Sequence, residues 1–245
     1  MARTYNEQAA SLAYSHDAMR PWQRGVKRSA DILCSLTGLI VLFPVFLVFA
    51  ILLKIQRNGP VFFSQQRIGY KGKPFTIYKF RTLSTVVEDE GPRLIAQSDS
   101  VQSTRLERFL RDHHLDELPQ LWNVLRGDMS LVGPRPERKY YIDQIMERTH
   151  DYVLIYQMRP GLTSEATIYN GYTDTMEKML KRLDMDIRYL ENRTFLTDLN
   201  IILQTIGSLL SSTSSPASHP ASSPQRPSAQ AGVTPNETTT DNEQF

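Results

Sequence analysis

Between Asp31 and Lys54 the chain runs for 22 residues without a charge, Ile32 to Leu53, and is apolar on every side rather than along one stripe. At about 1.5 Å per residue that length crosses the hydrocarbon core of a bilayer. An all-round apolar helix argues against the buried helix of a soluble domain. The run is also too long for a signal peptide and lacks its small-residue cleavage site. Pro44, near the middle, removes a backbone donor and crowds the preceding turn, which predicts a bend. Arg20, Arg24, Lys27 and Arg28 precede the run; Lys54, Arg57, Arg67, Lys71 and Lys73 follow it. The positive-inside rule then asks for both ends on the cytoplasmic side. A re-entrant helix that bends at Pro44 meets that demand; a straight single span is the alternative.

The pattern changes on either side. Residues 1–20 are polar and read as a loose arm. Residues 21–31 read as an amphipathic lead-in, with Trp22 suited to the membrane interface. Asn58-Gly59-Pro60 is a turn that ends the anchor. Val61-Phe62-Phe63 and Phe75-Thr76-Ile77-Tyr78 are rich in β-formers and separated by Gly69, Gly72 and Pro74, which predicts a short hairpin. From Thr104 the spacing turns helical: Leu106, Phe109 and Leu110 share a face, and Leu118, Leu121, Trp122 and Leu125 recur at i, i+3, i+4, i+7. A last helix is predicted from about Phe195 to Leu210, its stripe of Phe195, Leu199, Ile202, Ile206 and Leu209 facing the core, with membrane contact as the alternative. The expected fold is therefore α+β and mostly helical: an anchor over 21–58 and a small catalytic domain with one β-hairpin over 59–210. Residues 211–245, rich in Ser and Pro, predict a disordered tail.

Composition narrows the functional classes. With 28 Lys and Arg against 26 Asp and Glu the net charge is +2, too small to suggest bulk nucleic-acid binding. Cys34 is the sole cysteine, so no internal disulfide forms. Neither a Walker loop nor a GxGxxG is present, which leaves ATP and NAD without support.

Leu115-Asp116-Glu117-Leu118-Pro119-Gln120 is the sharpest local signal. Asp116 before an apolar-periodic run reads as a helix N-cap, with Pro119 tolerated in the first turn. A carboxylate at that place can equally attack phosphorus, as aspartyl nucleophiles do. Arg135 lies between Pro134 and Pro136, so a stiff loop would hold one guanidinium for bidentate phosphate recognition; a surface arginine in a proline turn is the alternative. Lys79 and Arg81 straddle Phe80, and strand alternation would put both on one face. His113 and His114 read as exposed turn residues.

Taken in register, several segments resemble the bacterial sugar transferase family of monotopic phosphoglycosyl transferases. They are Lys27-Arg28-Ser29-Ala30-Asp31; Gly59-Pro60-Val61-Phe62-Phe63-Ser64-Gln65-Gln66-Arg67-Ile68-Gly69; Lys79-Phe80-Arg81-Thr82; the Leu115–Leu125 run; Gly127-Asp128-Met129-Ser130-Leu131-Val132-Gly133-Pro134-Arg135-Pro136; Arg159-Pro160-Gly161-Leu162-Thr163; and Asp186-Ile187-Arg188-Tyr189-Leu190. The resemblance implies a re-entrant anchor kinked at a proline, a domain on the cytoplasmic face of the inner membrane, and Mg2+ held by Asp116 and Glu117. It implies that Asp116 attacks the sugar-linked phosphorus of a UDP-sugar and passes the phosphosugar to polyprenyl (undecaprenyl) phosphate, initiating polysaccharide or glycan assembly. Glu117 would position the metal or activate the acceptor. Lys79, Arg81, Arg111, Arg135, Arg67 and Gln65 would bind phosphate or substrate. Membrane lipid is an implied partner, and a homo-oligomer is compatible with it. The chain departs from the family pattern at Phe43-Pro44, where Ser-Pro is usual, at His114, and in the stretch after Gly161. A rival reading is a catalytically silent, membrane-bound partner in glycan assembly; the intact Asp116-Glu117 pair and Arg135 speak against it.

Overall fold

The computed structural model describes residues 17–56, 59–82, 103–170 and 175–212. In chain order the elements are α1 (Pro21–Ile55), β1 (Phe62–Ile68), a 3-10 turn (Tyr70–Gly72), β2 (Pro74–Phe80), α2 (Arg105–Asp112), a second 3-10 turn (Leu115–Glu117), α3 (Gln120–Arg126), β3 (Ser130–Val132), α4 (Lys139–Met146), α5 (Tyr152–Ile155), β4 (Gly161–Thr163), α6 (Glu165–Tyr169), α7 (Met176–Asn192) and α8 (Phe195–Ser212). The predicted arm and tail, and Asn58 of the predicted turn, fall on or largely on residues outside those described.

Pro21 opens α1 at its first position, where a missing N–H costs nothing. Pro44 sits inside α1 without ending it, although it deprives the Ile40 carbonyl of its helical partner. Asp31, Ser35 and Leu53 are the buried residues of this helix, while Leu33, Ile40, Val41 and Phe43 are all more than 60% exposed. So much exposed apolar surface is a lipid-facing or docking surface, and α1 is long and apolar enough to cross a membrane.

The rest of the domain grips α1 along its length. Near its start, Arg28 donates to the carbonyls of Val124 (2.6 Å) and Leu125 (2.9 Å) at the end of α3. Asp31 accepts from the Ser130 hydroxyl at 2.8 Å and the Leu131 N–H at 3.1 Å, which fixes β3. Gly38 faces Leu121, whose side chain would meet an added Cβ at 3.2 Å. Near its end, Leu53, Phe46 and Phe49 pack with Phe80 and Leu110.

β1 and β2 form the predicted hairpin, antiparallel, with Phe63 opposite Lys79, Gln65 opposite Ile77 and Arg67 opposite Phe75. Period-two alternation sets Phe63, Gln65 and Arg67 on the less exposed face of β1. Directly opposed residues share a face, so Lys79 and Ile77 lie there too. The outer edge of β2 is closed by one side chain: Asn123, fully buried on α3, accepts from Tyr78 N–H and donates to the Thr76 carbonyl. Thus β2 is held against α3 without a third strand.

β3 and β4 add a parallel pair that the sequence reading did not foresee, Ser130 beside Gly161 and Val132 beside Thr163. The chains cross too closely for side chains. A Cβ on Gly133 would lie 2.3 Å from the Arg159 carbonyl oxygen, and one on Gly161 would lie 2.1 Å from Gly133 N. That contact sets where the Pro134-Arg135-Pro136 loop emerges. The main core, including Ile142, Ile145, Val153, Leu183, Leu190 and Ile201, joins α4, α5, α7 and α8 behind this crossing.

The α8 stripe corrects an expectation. Asp198 and Ile201 face inward, and Thr205 is hydrogen-bonded to Thr163 at 2.7 Å, whereas Leu199, Leu203 and Ile206 are about half exposed or more and Leu196 is 78% exposed. Of the predicted stripe, Ile202 packs against the main core, whereas Phe195, Leu199 and Ile206 are exposed, so the inward face is narrower and more polar than the apolar period suggested.

Candidate active site

Asp116 does not cap a helix. It lies in the second 3-10 turn, and the residue at the N-cap of α3 is Pro119, with no side-chain cap bond. The chain reaches this turn through His114, whose φ of 54° is in the left-handed region. That reversal tucks Asp116 inward to 6% exposure. Burial pushes its carboxyl up to about 6, against the pull of Lys79.

Glu117 is the hub. Lys79 Nζ stands 2.5 Å from Glu117 Oε1, and Arg135 Nη2 stands 3.3 Å from the same oxygen. Burial by itself would raise this carboxyl, but Arg135 and Lys79 outweigh it and hold it well below the usual carboxylate range. The hairpin delivers Lys79, the parallel-strand crossing delivers Arg135, and the 3-10 turn delivers Glu117. Arg67, on the same hairpin face as Lys79, donates to Gln65 Oε1 at 2.6 Å and to the Pro136 carbonyl at 3.2 Å. Gln65 thereby orients Arg67. A small open cleft lies among Arg67, Ile77, Lys79, Glu117, Gln120 and Arg135.

Two of the expected cations lie elsewhere. β2 ends at Phe80, so the alternation meant to put Arg81 beside Lys79 stops before it. Arg81 is 1% exposed; it donates to the carbonyls of Gly59 (2.6 Å), Pro60 (2.9 Å) and Leu53 (3.2 Å), and pairs with Glu107 at 3.3 Å. It ties the end of α1 to the start of α2, where Glu107 also completes a capping box with Thr104. Arg111, on the last turn of α2, has no side-chain hydrogen bond or ion pair to a described residue; its carbonyl accepts from His114 N–H at 3.1 Å.

Other residues near the site were given no role from the sequence, although Asp186 and Gln120 lie in the segments that carry the resemblance. Glu137 bridges Arg67 (3.5 Å) and Arg182, so it sits between two guanidinium groups behind Arg135. Asp186 is buried beside Arg182, and burial pushes its carboxyl up to about 8. Charged residues at 182 and 186, one helical turn apart among Met179, Leu183, Tyr189 and Leu190, were the available signal. Gln120, 2% exposed, leaves its Nε2 without a protein partner. Among the described residues no cluster of three or more His, Cys, Asp or Glu is placed to hold a metal ion.

The structure thus sets a cluster of cations around Glu117, next to the buried Asp116, in a chain with a helix long and apolar enough to cross a membrane. The family model for bacterial sugar transferases matches residues 22–212, and the chain belongs to that family. It is 41% identical over 182 residues to a Klebsiella pneumoniae protein named UDP-glucose:undecaprenyl-phosphate glucose-1-phosphate transferase, covering 74% of this chain and 39% of that protein. A Caulobacter vibrioides protein of the same name is 41% identical over 187 residues, covering 75% of this chain and 69% of that protein. An Aeromonas hydrophila UDP-N-acetylgalactosamine-undecaprenyl-phosphate N-acetylgalactosaminephosphotransferase is 35% identical over 185 residues, covering 76% of this chain and 44% of its own length. The chain thus spans less than half the length of two of these three relatives.

Proposed function

We propose that this chain is a phosphoglycosyl transferase that moves a sugar-1-phosphate from a UDP-sugar to undecaprenyl phosphate through a covalent intermediate on Asp116. The observation that carries the reading is the meeting of Glu117, Lys79 and Arg135 on one cleft, with the buried carboxyl of Asp116 beside them and within their electrostatic reach, in a member of this family. An oxygen of the Asp116 carboxylate forms a bond to the phosphorus that bears the sugar. The bond from that phosphorus to the bridging oxygen breaks, and its electron pair leaves on UMP. An oxygen of the acceptor phosphate then attacks the same phosphorus, and the Asp116–phosphorus bond breaks to restore the carboxylate. Lys79 and Arg135 lie where charge accumulates on the phosphoryl oxygens. Their hold on Glu117 keeps that carboxylate ionised beside the nucleophile.

Asp116 and Glu117 offer hard oxygen donors only, and two carboxylates with substrate phosphates and water suit Mg2+, which seldom takes an all-protein cage. When bound there, Mg2+ would neutralise diphosphate charge. The place of action proposed is the cytoplasmic face of the bacterial inner membrane, at the initiating step of polysaccharide or glycan assembly. Contacts of one domain with α1 from Arg28 to Leu53 support a re-entrant anchor over a straight span.

The test uses purified protein in lipid nanodiscs with Mg2+, UDP-[14C]glucose and UDP-[14C]N-acetylgalactosamine, and no lipid acceptor. UMP release with label retained on protein at Asp116 is the expected result. Asp116→Asn should lose both, with turnover down about 10³-fold or more. Product formed only when donor and acceptor are present together, with no labelled protein, would make Asp116 a metal ligand in a direct transfer.

A further inference from the structure

The cleft holds more donors than acceptors. Gln120 is 2% exposed and opens α3 directly behind the Asp116-Glu117 turn. Its Nε2 and the Nε of Arg67 are both buried without a partner, and both residues line the cleft with Lys79 and Arg135. Burying a polar group unpaired is destabilising, and apolar residues of the same shape would avoid the cost. Among the described residues no protein acceptor lies within hydrogen-bond distance of the Gln120 Nε2. Two free N–H donors beside two cations suit an oxyanion.

We infer that Gln120 is a substrate-contacting residue, whose carboxamide N–H donates, alongside Arg67 Nε, to a non-bridging phosphoryl oxygen of the nucleotide-sugar diphosphate. The assignment rests on the transferase reading for the substrate, and on the geometry for the oxyanion. Gln120 lies three residues after Glu117 and four after Asp116, so an oxygen it holds stays next to the attacking carboxylate. A neutral amide orients the group without adding a charge that would compete with Asp116 for protonation.

The discriminating variant is Gln120→Met, which keeps the volume and removes both polar ends. If Gln120 only supports the fold, losing it lowers Tm. If it waits for a ligand, Tm holds or rises while substrate handling fails. The expected result is a Tm equal to or above wild type and a kcat/KM for the UDP-sugar donor down roughly 10- to 100-fold, the range for one hydrogen bond to a charged oxygen. KM for undecaprenyl phosphate should stay within about twofold. Gln120→Glu, which sets a carboxylate against the phosphate, should lose more than Gln120→Met. Stabilisation by UDP in a thermal-shift assay, with no chemistry involved, should weaken in both variants. A folded Gln120→Met protein with wild-type donor kcat/KM and wild-type UDP shift overturns the assignment, and Gln120 then binds a trapped water. Wild type that turns over no donor, yet is stabilised by UDP in a Gln120-dependent way, sinks the transferase reading and keeps this one. Wild type that neither turns over nor responds to UDP sinks both.

Discussion

Lys79 and Arg81 are two residues apart and do unrelated work, and a matched pair of substitutions separates them. Arg81→Met leaves the buried Glu107 carboxylate without its cation, holding only the Thr104 N–H, and frees the Leu53, Gly59 and Pro60 carbonyls. Breaking a buried pair from one side costs about 3–5 kcal/mol, so this variant should show a steep fall in Tm. Lys79→Met leaves Glu117 with Arg135. Its Tm should stay close to wild type while kcat/KM falls by roughly 10²-fold, as for one oxyanion-stabilising donor. Thermal unfolding with donor kinetics on both proteins checks this; equal Tm losses would place Lys79 in the same structural role as Arg81. A pH test belongs at Asp186. Arg182 donates to Glu137 instead, and burial pushes the Asp186 carboxyl up to about 8, from about 4 in the unfolded chain. The folded state holds a proton there that the unfolded state has released, so stability is fully present below pH of about 4 and is lost as pH rises through about 8. Asp186→Asn abolishes that titration, and its Tm should gain on wild type between pH 5 and pH 9. A constant Tm gap across that range would mean that Asp186 is ionised throughout.

Legibility at the scale of elements followed how local each cause was. The hairpin and the apolar helix are written in nearest-neighbour periodicity, and each was readable; the α3 helix was too, but not its stripe, since Trp122 is about half exposed and the buried face is Gln120, Leu121, Asn123 and Val124. The β3–β4 pair was not, because three-residue strands show no alternation and their pairing spans some thirty residues. The Asp116-Glu117, Lys79 and Arg135 positions were legible from their motifs. Arg81 was misplaced because alternation was carried one residue past the strand. Gln120 could not be singled out, since an unpartnered amide has no sequence signature. The α8 reading erred for a definable reason: hydrophobic period reports an apolar face but not what covers it. Trp22 packs against Phe195 at 6.5 Å, which joins the exposed face of α8 to the start of α1 in one apolar surface. That surface should sit at the lipid interface. Leu199→Asp with Leu203→Asp alters exposed positions only, so the fold should survive while retention on liposomes containing anionic lipid falls severalfold in a flotation assay. Unchanged flotation would assign the attachment to α1 alone.

For the whole molecule the question is how one helix relates to a domain that holds it at both ends. Arg28 and Asp31 are fixed to α3 and β3, and Leu53 is fixed to the cluster around Phe80 and Leu110. From residue 28 to residue 53 a helix rises about 37 Å, more than the roughly 30 Å of hydrocarbon. A straight span would carry one of those attachment points to the far side of the bilayer, and the domain would have to follow it. Polar ties such as Asp31 to Ser130 and Arg28 to the α3 carbonyls would then be dragged into lipid, where unsatisfied groups cost several kcal/mol each. Lys27 to Asp198, at 2.5 Å, adds a charged tie on the same side. The arrangement that avoids those costs keeps both ends on one face and lays the apolar outer surface of α1 into a single leaflet. Single cysteines at Arg20 and Lys73, both exposed and on opposite flanks of the helix, report on this directly in a Cys34→Ser background. A membrane-impermeant maleimide added to intact cells should label neither, and added to inverted membrane vesicles should label both. Labelling of one site from each side would establish a span. Pro44→Ala, which restores the Ile40 hydrogen bond and favours a straight helix, should move some molecules toward that split pattern and lower the yield of UMP from UDP-sugar.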